Sequence, residues 1–174
     1  MPELQHIRVI DTSSIIEVRR RVPHGNQRAV FQKLDELVAT GTLVYPIQVV
    51  TELEAQYDPK SATPDLPYDW VKRNQKMATR HGYLFDRVRE VLQHPQAKFV
   101  LDPEKVGTEE ADPYILGLAL HLKEQGDVTV LTEETRDRPD KLSLNSACGL
   151  LRIYCLRIVP FLAQQGIWSA SPFA

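Results

Sequence analysis

Hydrophobic and polar positions along the chain alternate between two rhythms. Ile7-Arg8-Val9-Ile10 is a β-branched run that stops on Asp11, and it predicts a strand feeding a loop. Ile15–Arg21 mixes apolar with basic residues and closes in the turn chemistry of Val22-Pro23-His24-Gly25-Asn26. From Gln27 the apolar residues Val30, Phe31, Leu34, Leu37 and Val38 recur at helical spacing and halt at Gly41, a natural C′ residue. Thr42-Leu43-Val44-Tyr45 then predicts a second short strand, and Val49–Ala55 a helix directly after it.

The rhythm continues through the rest of the chain. Tyr57–Pro67 collects three prolines and several polar residues, which predicts a surface loop with the reach to act as a lid. A helix capped near Asp69 carries Trp70, Val71 and Met77, then Leu84, Val88, Val91 and Leu92, and Gly82 is placed to split it into a hairpin. Lys98–Leu101 reads as a third strand, Asp112–Glu124 as a helix closed by Gly126, and Val128–Thr132 as a fourth strand. Leu151–Ile158 reads as a fifth, followed by a short helix over Pro160–Gln165. Strands alternating with helices predict an α/β domain spanning residues 1–174, with a mostly parallel sheet of about five strands covered by helices on both faces.

In such a sheet, acids that follow different strands become neighbours at one edge, the carboxyl edge where open α/β sheets bind ligands. Asp11, Glu52, Asp112 and the pair Glu133-Glu134 have that placement. Each also has a plain structural reading. Asp11 or the serines after it can cap a helix, and Asp112-Pro113 has the form of an N-cap followed by proline. Glu52 fits a solvated helix face, and Glu133 and Glu134 fit loop charges. Together, though, clustered carboxylates would raise one another's pKa unless a cation answered them, and an oxygen-rich set suits Mg²⁺ or Mn²⁺. The histidines at 6, 24, 81, 94 and 121 do not group with these acids in sequence, which disfavours zinc.

Four segments carry a resemblance. Val9-Ile10-Asp11-Thr12-Ser13, Val49-Val50-Thr51-Glu52-Leu53, Ala111-Asp112-Pro113-Tyr114-Ile115-Leu116-Gly117-Leu118-Ala119 and Val130-Leu131-Thr132-Glu133-Glu134 resemble, in order and rough spacing, the signatures of PIN-domain ribonucleases, the fold of VapC-type toxins. The resemblance implies a three-layer α/β/α sandwich and a Mg²⁺- or Mn²⁺-dependent endoribonuclease. Asp11, Glu52, Asp112 and Glu134 would be its catalytic metal ligands, RNA its substrate, and a cognate antitoxin and a second copy of the chain its partners. Many members have Asp at the fourth position, where this chain has Glu134; Glu133 and Asp137 are the alternatives. A weakened fourth ligand would suit a second reading, an inactive RNA-binding or scaffold module on the same fold.

Charge and composition add little to this. A net charge of −2 argues against indiscriminate coating of nucleic acid, leaving local patches as the means of holding RNA. Arg19-Arg20-Arg21 with His24 and Arg28, and Lys72-Arg73 with Lys76, Arg80 and His81, are two such patches; solvated helix faces are the equal alternative. Tyr68 and Trp70 could stack on unpaired bases or pack into the core. Ser13 and Thr132 could position water or orient the carboxylates. Cys148 and Cys155 lack zinc-ligand neighbours and read as free thiols, and the absence of a signal-like leader or long apolar run predicts a cytoplasmic chain away from membranes. No glycine-rich phosphate loop follows the first strand, which disfavours a Rossmann-type nucleotide binder.

Overall fold

Ile7–Ile10 forms strand β1 in the computed structural model, which describes residues 5–171. The chain continues through helices α1 (Thr12–Arg21) and α2 (His24–Ala39), strand β2 (Leu43–Val44), and helices α3 (Ile47–Gln56), α4 (Leu66–Ala78) and α5 (Phe85–Gln93). Two 3-10 turns, Ala97–Val100 and Pro103–Lys105, lead into α6 (Asp112–Lys123). Strand β3 (Val128–Leu131), α7 (Leu144–Leu150), strand β4 (Tyr154–Leu156) and α8 (Ile158–Gln164) complete the order.

The architecture is α/β with a parallel sheet flanked by helices, in the strand order β2-β1-β3-β4. Successive residues of a strand face opposite sides, and Val9 and Ile10, like Val130 and Leu131, are fully buried, so the central strands are covered on both faces. Helix α6 packs on β1 and β3, with α5 and α7 against it. Here Gly117 admits a close approach: a Cβ would stand 3.1 Å from both the backbone nitrogen and Cγ2 of Val88 on α5. Helices α1 to α4 pack among themselves, with α2 and α4 reaching β2 and α8 lying on α1. Trp70 is fully buried against Phe31 and Tyr45 at ring-centre distances of 6.0 and 5.5 Å.

Among the described residues the sheet has four strands rather than about five, because Lys98–Leu101 is not a strand. Ala97 and Val100 are buried while Phe99 and Leu101 are exposed, a three-residue period that belongs to a 3-10 turn. The predicted fifth strand contracts to Tyr154–Leu156, since Leu151 and Arg152 turn out of α7 and Ile158 opens α8. The helix ends at Gly41 and Gly82 follow their sequence signals, and the cap of α4 lies four residues before the expected one. Gly41, at φ 77°, closes α2 with its N–H on the Val38 carbonyl (2.9 Å). Asp65, not Asp69, caps α4, accepting the Tyr68 N–H at 3.1 Å, and Gly82 falls in the break between α4 and α5. The mixed stretch after Asp11 is helical: Ile15 and Val18 supply a buried face and Arg19-Arg20-Arg21 its cationic last turn. Among the described residues no helix is long and apolar enough to cross a membrane.

Candidate metal centre

From β1 the chain moves outward to β2, and β3 lies on the other side, so the crevice beyond the ends of β1 and β3 is the topological switch point of the sheet. The register Ile10↔Leu131 brings Asp11 beside Thr132. Asp11 is the N-cap of α1 through its backbone, its carbonyl accepting from the Ser14 and Ile15 amides at 3.1 and 3.3 Å, but its side chain makes no cap bond. Oδ2 instead accepts from Ser13 Oγ at 2.7 Å and Thr132 Oγ1 at 3.0 Å. Those hydroxyls accept in turn from the backbone N–H groups of Glu133 (3.0 Å) and Glu134 (3.1 Å). Two peptide dipoles after β3 thus act through two hydroxyls on one oxygen of Asp11. Orienting this carboxylate is the role that Ser13 and Thr132 have here.

Asp112 opens α6 one residue inside the helix, with Ala111 at the N-cap position, and its carboxylate caps nothing. Its Oδ2 accepts from the ammonium of Lys141 at 3.0 Å, and Glu134 Oε1 is a second acceptor of the same ammonium. Asp11, Asp112 and Glu134 each present a carboxylate oxygen within 4.8 Å of the others. Burial, reinforced by the charges of Glu52 and Glu134, pushes the Asp11 carboxyl up to about 6 against the pull of its two hydroxyl bonds. Burial and then the neighbouring charges of Asp11 and Glu134 raise Asp112 well above the ordinary carboxylate range, while Lys141 works the other way. For Lys141, burial alone would lower the pKa, but the charge of Asp112 and the bond to Glu134 lead the effects that outweigh it and raise the value.

Glu52 is beside this trio but not within it. Its Oε2 accepts from Thr12 Oγ1 at 2.6 Å and its Oε1 from the Ala111 N–H at 3.0 Å, which ties α3 to the N-terminal ends of α1 and α6. It lines the same cavity of about 210 Å³, together with the trio, Lys105, Glu110 and Lys141. Of the four expected ligands, then, three converge and the fourth braces the elements that carry them. Glu133 faces away: Oε1 accepts from the Ile158 N–H at 2.7 Å and Ser14 Oγ at 3.2 Å, and Oε2 from Arg157 at 3.0 Å. Asp137 accepts the Ser143 N–H at 2.8 Å, a bond that lowers its pKa. Glu134 is therefore the acid after β3 that reaches the cavity.

The cavity residues Ile16, Lys105, Glu110 and Lys141 are not among those expected from sequence. Glu110 is buried, accepting from the Asp102 N–H at 3.0 and 3.2 Å, and burial raises its pKa. The acidic run Glu109-Glu110-Ala111-Asp112 was a signal for it; Lys141 had none, being one basic residue in a polar loop. None of the five histidines lines the cavity, nor does any residue of the Tyr57–Pro67 loop. Several members of the two cationic patches are engaged elsewhere. Arg19 reaches Asp65 (3.6 Å) at the far end of α1 from Asp11, Lys72 reaches Glu54 (3.6 Å), and Arg73 makes a two-pronged contact with Asp35. Trp70 lies in the core, out of reach of a base, and Tyr68 stacks on Tyr57 at 4.1 Å. Cys148 and Cys155 are free thiols.

No curated protein and no solved structure matches the chain. Residues 9–168 match a family model that runs from within β1 past the end of α8 and includes every residue of the cavity. The chain belongs to the family described as Domain of unknown function (DUF4411).

Proposed function

We propose that the chain is a PIN-like, metal-dependent endoribonuclease that hydrolyses RNA phosphodiester bonds, with Asp11, Asp112 and Glu134 holding Mg²⁺ or Mn²⁺ and Glu52 contributing through water. The observation that carries this reading is the meeting of three carboxylates, from residues 11, 112 and 134, at the switch point of the sheet. Two of them have raised pKa values, through burial first and then through the negative charge of neighbouring carboxylates. The donor set fits a hard divalent ion: the cavity is lined by carboxylate and hydroxyl oxygens, with neither histidine nor cysteine.

Bound there, the ion would supply Lewis acidity, lowering the pKa of a water and offsetting charge on the phosphodiester. The protein's own residues do the rest. Ser13 and Thr132 fix one oxygen of Asp11 and leave the other for the centre of the cluster. Glu52 holds the ends of α1 and α6 at their spacing through Thr12 and Ala111. Lys105 lines the cavity from the second 3-10 turn and offers a cation to phosphate oxygens. A cavity of about 210 Å³ has the liquid volume of about seven waters, enough for a phosphate group and an attacking water.

On this reading hydrolysis leaves 5′-phosphate and 3′-hydroxyl ends. The biological role is that of the toxin of a toxin–antitoxin pair, with a cognate antitoxin and a second copy of the chain as partners and the cytoplasm as its place. The test is a labelled single-stranded RNA incubated with the purified chain across a Mn²⁺ titration. Cleavage should require the metal, stop with chelator, and be lost in Asp11→Asn. Intact RNA at every Mn²⁺ concentration, with the protein folded, would overturn the enzymatic reading in favour of a non-catalytic RNA-binding or scaffold module.

A further inference from the structure

Lys141 is the one part of the centre that a carboxylate cage for metal does not require. Its side chain is only 10% exposed, and its ammonium donates to Asp112 Oδ2 at 3.0 Å, to Glu134 Oε1, and to the Leu142 carbonyl at 3.5 Å. An ammonium has three hydrogens, so this set uses all of them. The segment that delivers it is braced on every side. Around Pro139-Asp140, the Arg138 N–H donates to the Lys141 carbonyl at 2.8 Å and the Lys141 N–H to the Arg138 carbonyl at 3.3 Å. Asp102 holds the Arg138 guanidinium at 2.8 Å, and the Leu142 N–H donates to the Phe99 carbonyl at 2.7 Å. Lys141 is placed as firmly as the acids are.

Resting on the metal-dependent reading above, we infer that Lys141 is a resident cation occupying the place of a second divalent ion, so that the centre holds one Mg²⁺ or Mn²⁺ and one ammonium. Charge supports that count. Three ionised carboxylates carry three negative charges; the ammonium answers one and a single divalent ion the other two. A second divalent ion would leave excess positive charge beside the ammonium even with Glu52 included, since Glu110, which is taken up by the Asp102 N–H, is offset by Lys105 in the same cavity. Geometry permits the shared arrangement, since a carboxylate offers about four lone-pair positions and Asp112 and Glu134 can serve the ammonium and a metal together. The ammonium cannot itself ligate metal, because it has no lone pair to give.

The test counts Mn²⁺ bound to the metal-free full chain by electron paramagnetic resonance of free Mn²⁺ and by calorimetry. The parent should bind about one ion per chain. Lys141→Met should bind a second ion, or bind its one ion about tenfold or more tightly, because a positive charge beside the ligands is gone. Lys141→Arg, which keeps the charge, should behave as the parent. Two ions in the parent, or the same count and affinity in Lys141→Met, would overturn the inference. If Lys141→Met is unfolded without metal, parent stoichiometry and the arginine variant still decide it, and Mn²⁺-driven refolding of the methionine variant supports it. Failure of every variant to bind Mn²⁺ would instead remove the metal reading itself.

Discussion

Replacing Asp11 by Asn tests how the cluster stores charge. An Asn seated with its carbonyl oxygen in the place of Oδ2 keeps the bonds from Ser13 and Thr132 and turns its amide toward the other acids. The Asp11 carboxyl titrates at about 6 in the folded chain, against 3.8 ordinarily. The folded state therefore holds this proton more tightly than the unfolded one. Below about pH 4 both states are protonated and no penalty exists; it grows as pH rises through the interval up to about 6 and is complete above it. At about 1.4 kcal/mol per unit, the ionised residue costs on the order of 3 kcal/mol at neutral pH without metal. Asn does not ionise, so metal-free Asp11→Asn should melt above the parent at pH 7.5, by roughly 6–12 °C for a chain of this size. The gap should close as pH approaches 4. Saturating Mn²⁺ should raise the parent and leave the variant nearly unmoved, reversing their order. Scanning calorimetry at several pH values, with and without Mn²⁺, measures all of this. A metal-free variant melting at or below the parent at pH 7.5, or a gap independent of pH, would refute the reasoning.

Adjacent acids should separate cleanly: Glu134→Gln should weaken Mn²⁺ binding by about 10–100-fold, whereas Glu133→Gln should leave it unchanged and lower the melting temperature through its contacts with Ile158 and Arg157. Equal Mn²⁺ isotherms for the two variants would remove Glu134 from the centre. Gly117→Ala should lower the melting temperature by roughly 2–4 °C, a net loss of about 1 kcal/mol after the better helix propensity of Ala, because its Cβ presses on the Val88 backbone. Unchanged or raised melting would show that α5 can move away freely.

The carboxylate trio was legible in sequence because strand ends in a parallel sheet are obligatory neighbours, and Asp11, Asp112 and Glu134 all sit close to that edge. Glu52 was legible as a member of the crevice but not in its duty, since its partners, Thr12 and the Ala111 amide, depend on how two helix ends meet. Lys141 was not legible: its place is set by an irregular hairpin held to Asp102 and Phe99, segments with no periodic signal. The misread of Lys98–Leu101 has a similar origin, because four apolar-rich residues cannot by themselves distinguish a strand from a 3-10 turn. Helix α7 was missed because it is short and contains Gly149, although Ser143 caps it as sequence rules allow.

The strand order β2-β1-β3-β4 also sets a schedule for synthesis. When residue 127 has been made, β1 has only the short β2 beside it, paired at Arg8↔Leu43 and Val9↔Val44, and its other edge is open. Residues 128–131 must then slot in against β1, later gaining β4 on their outer side, before Thr132 can reach Asp11 and Glu134 can join the other acids. A chain that stops before residue 134 thus has no complete centre, whatever chemistry that centre performs. The carboxylate cluster is assembled from residues more than 120 positions apart, and it closes only when residues 128–134 are in place.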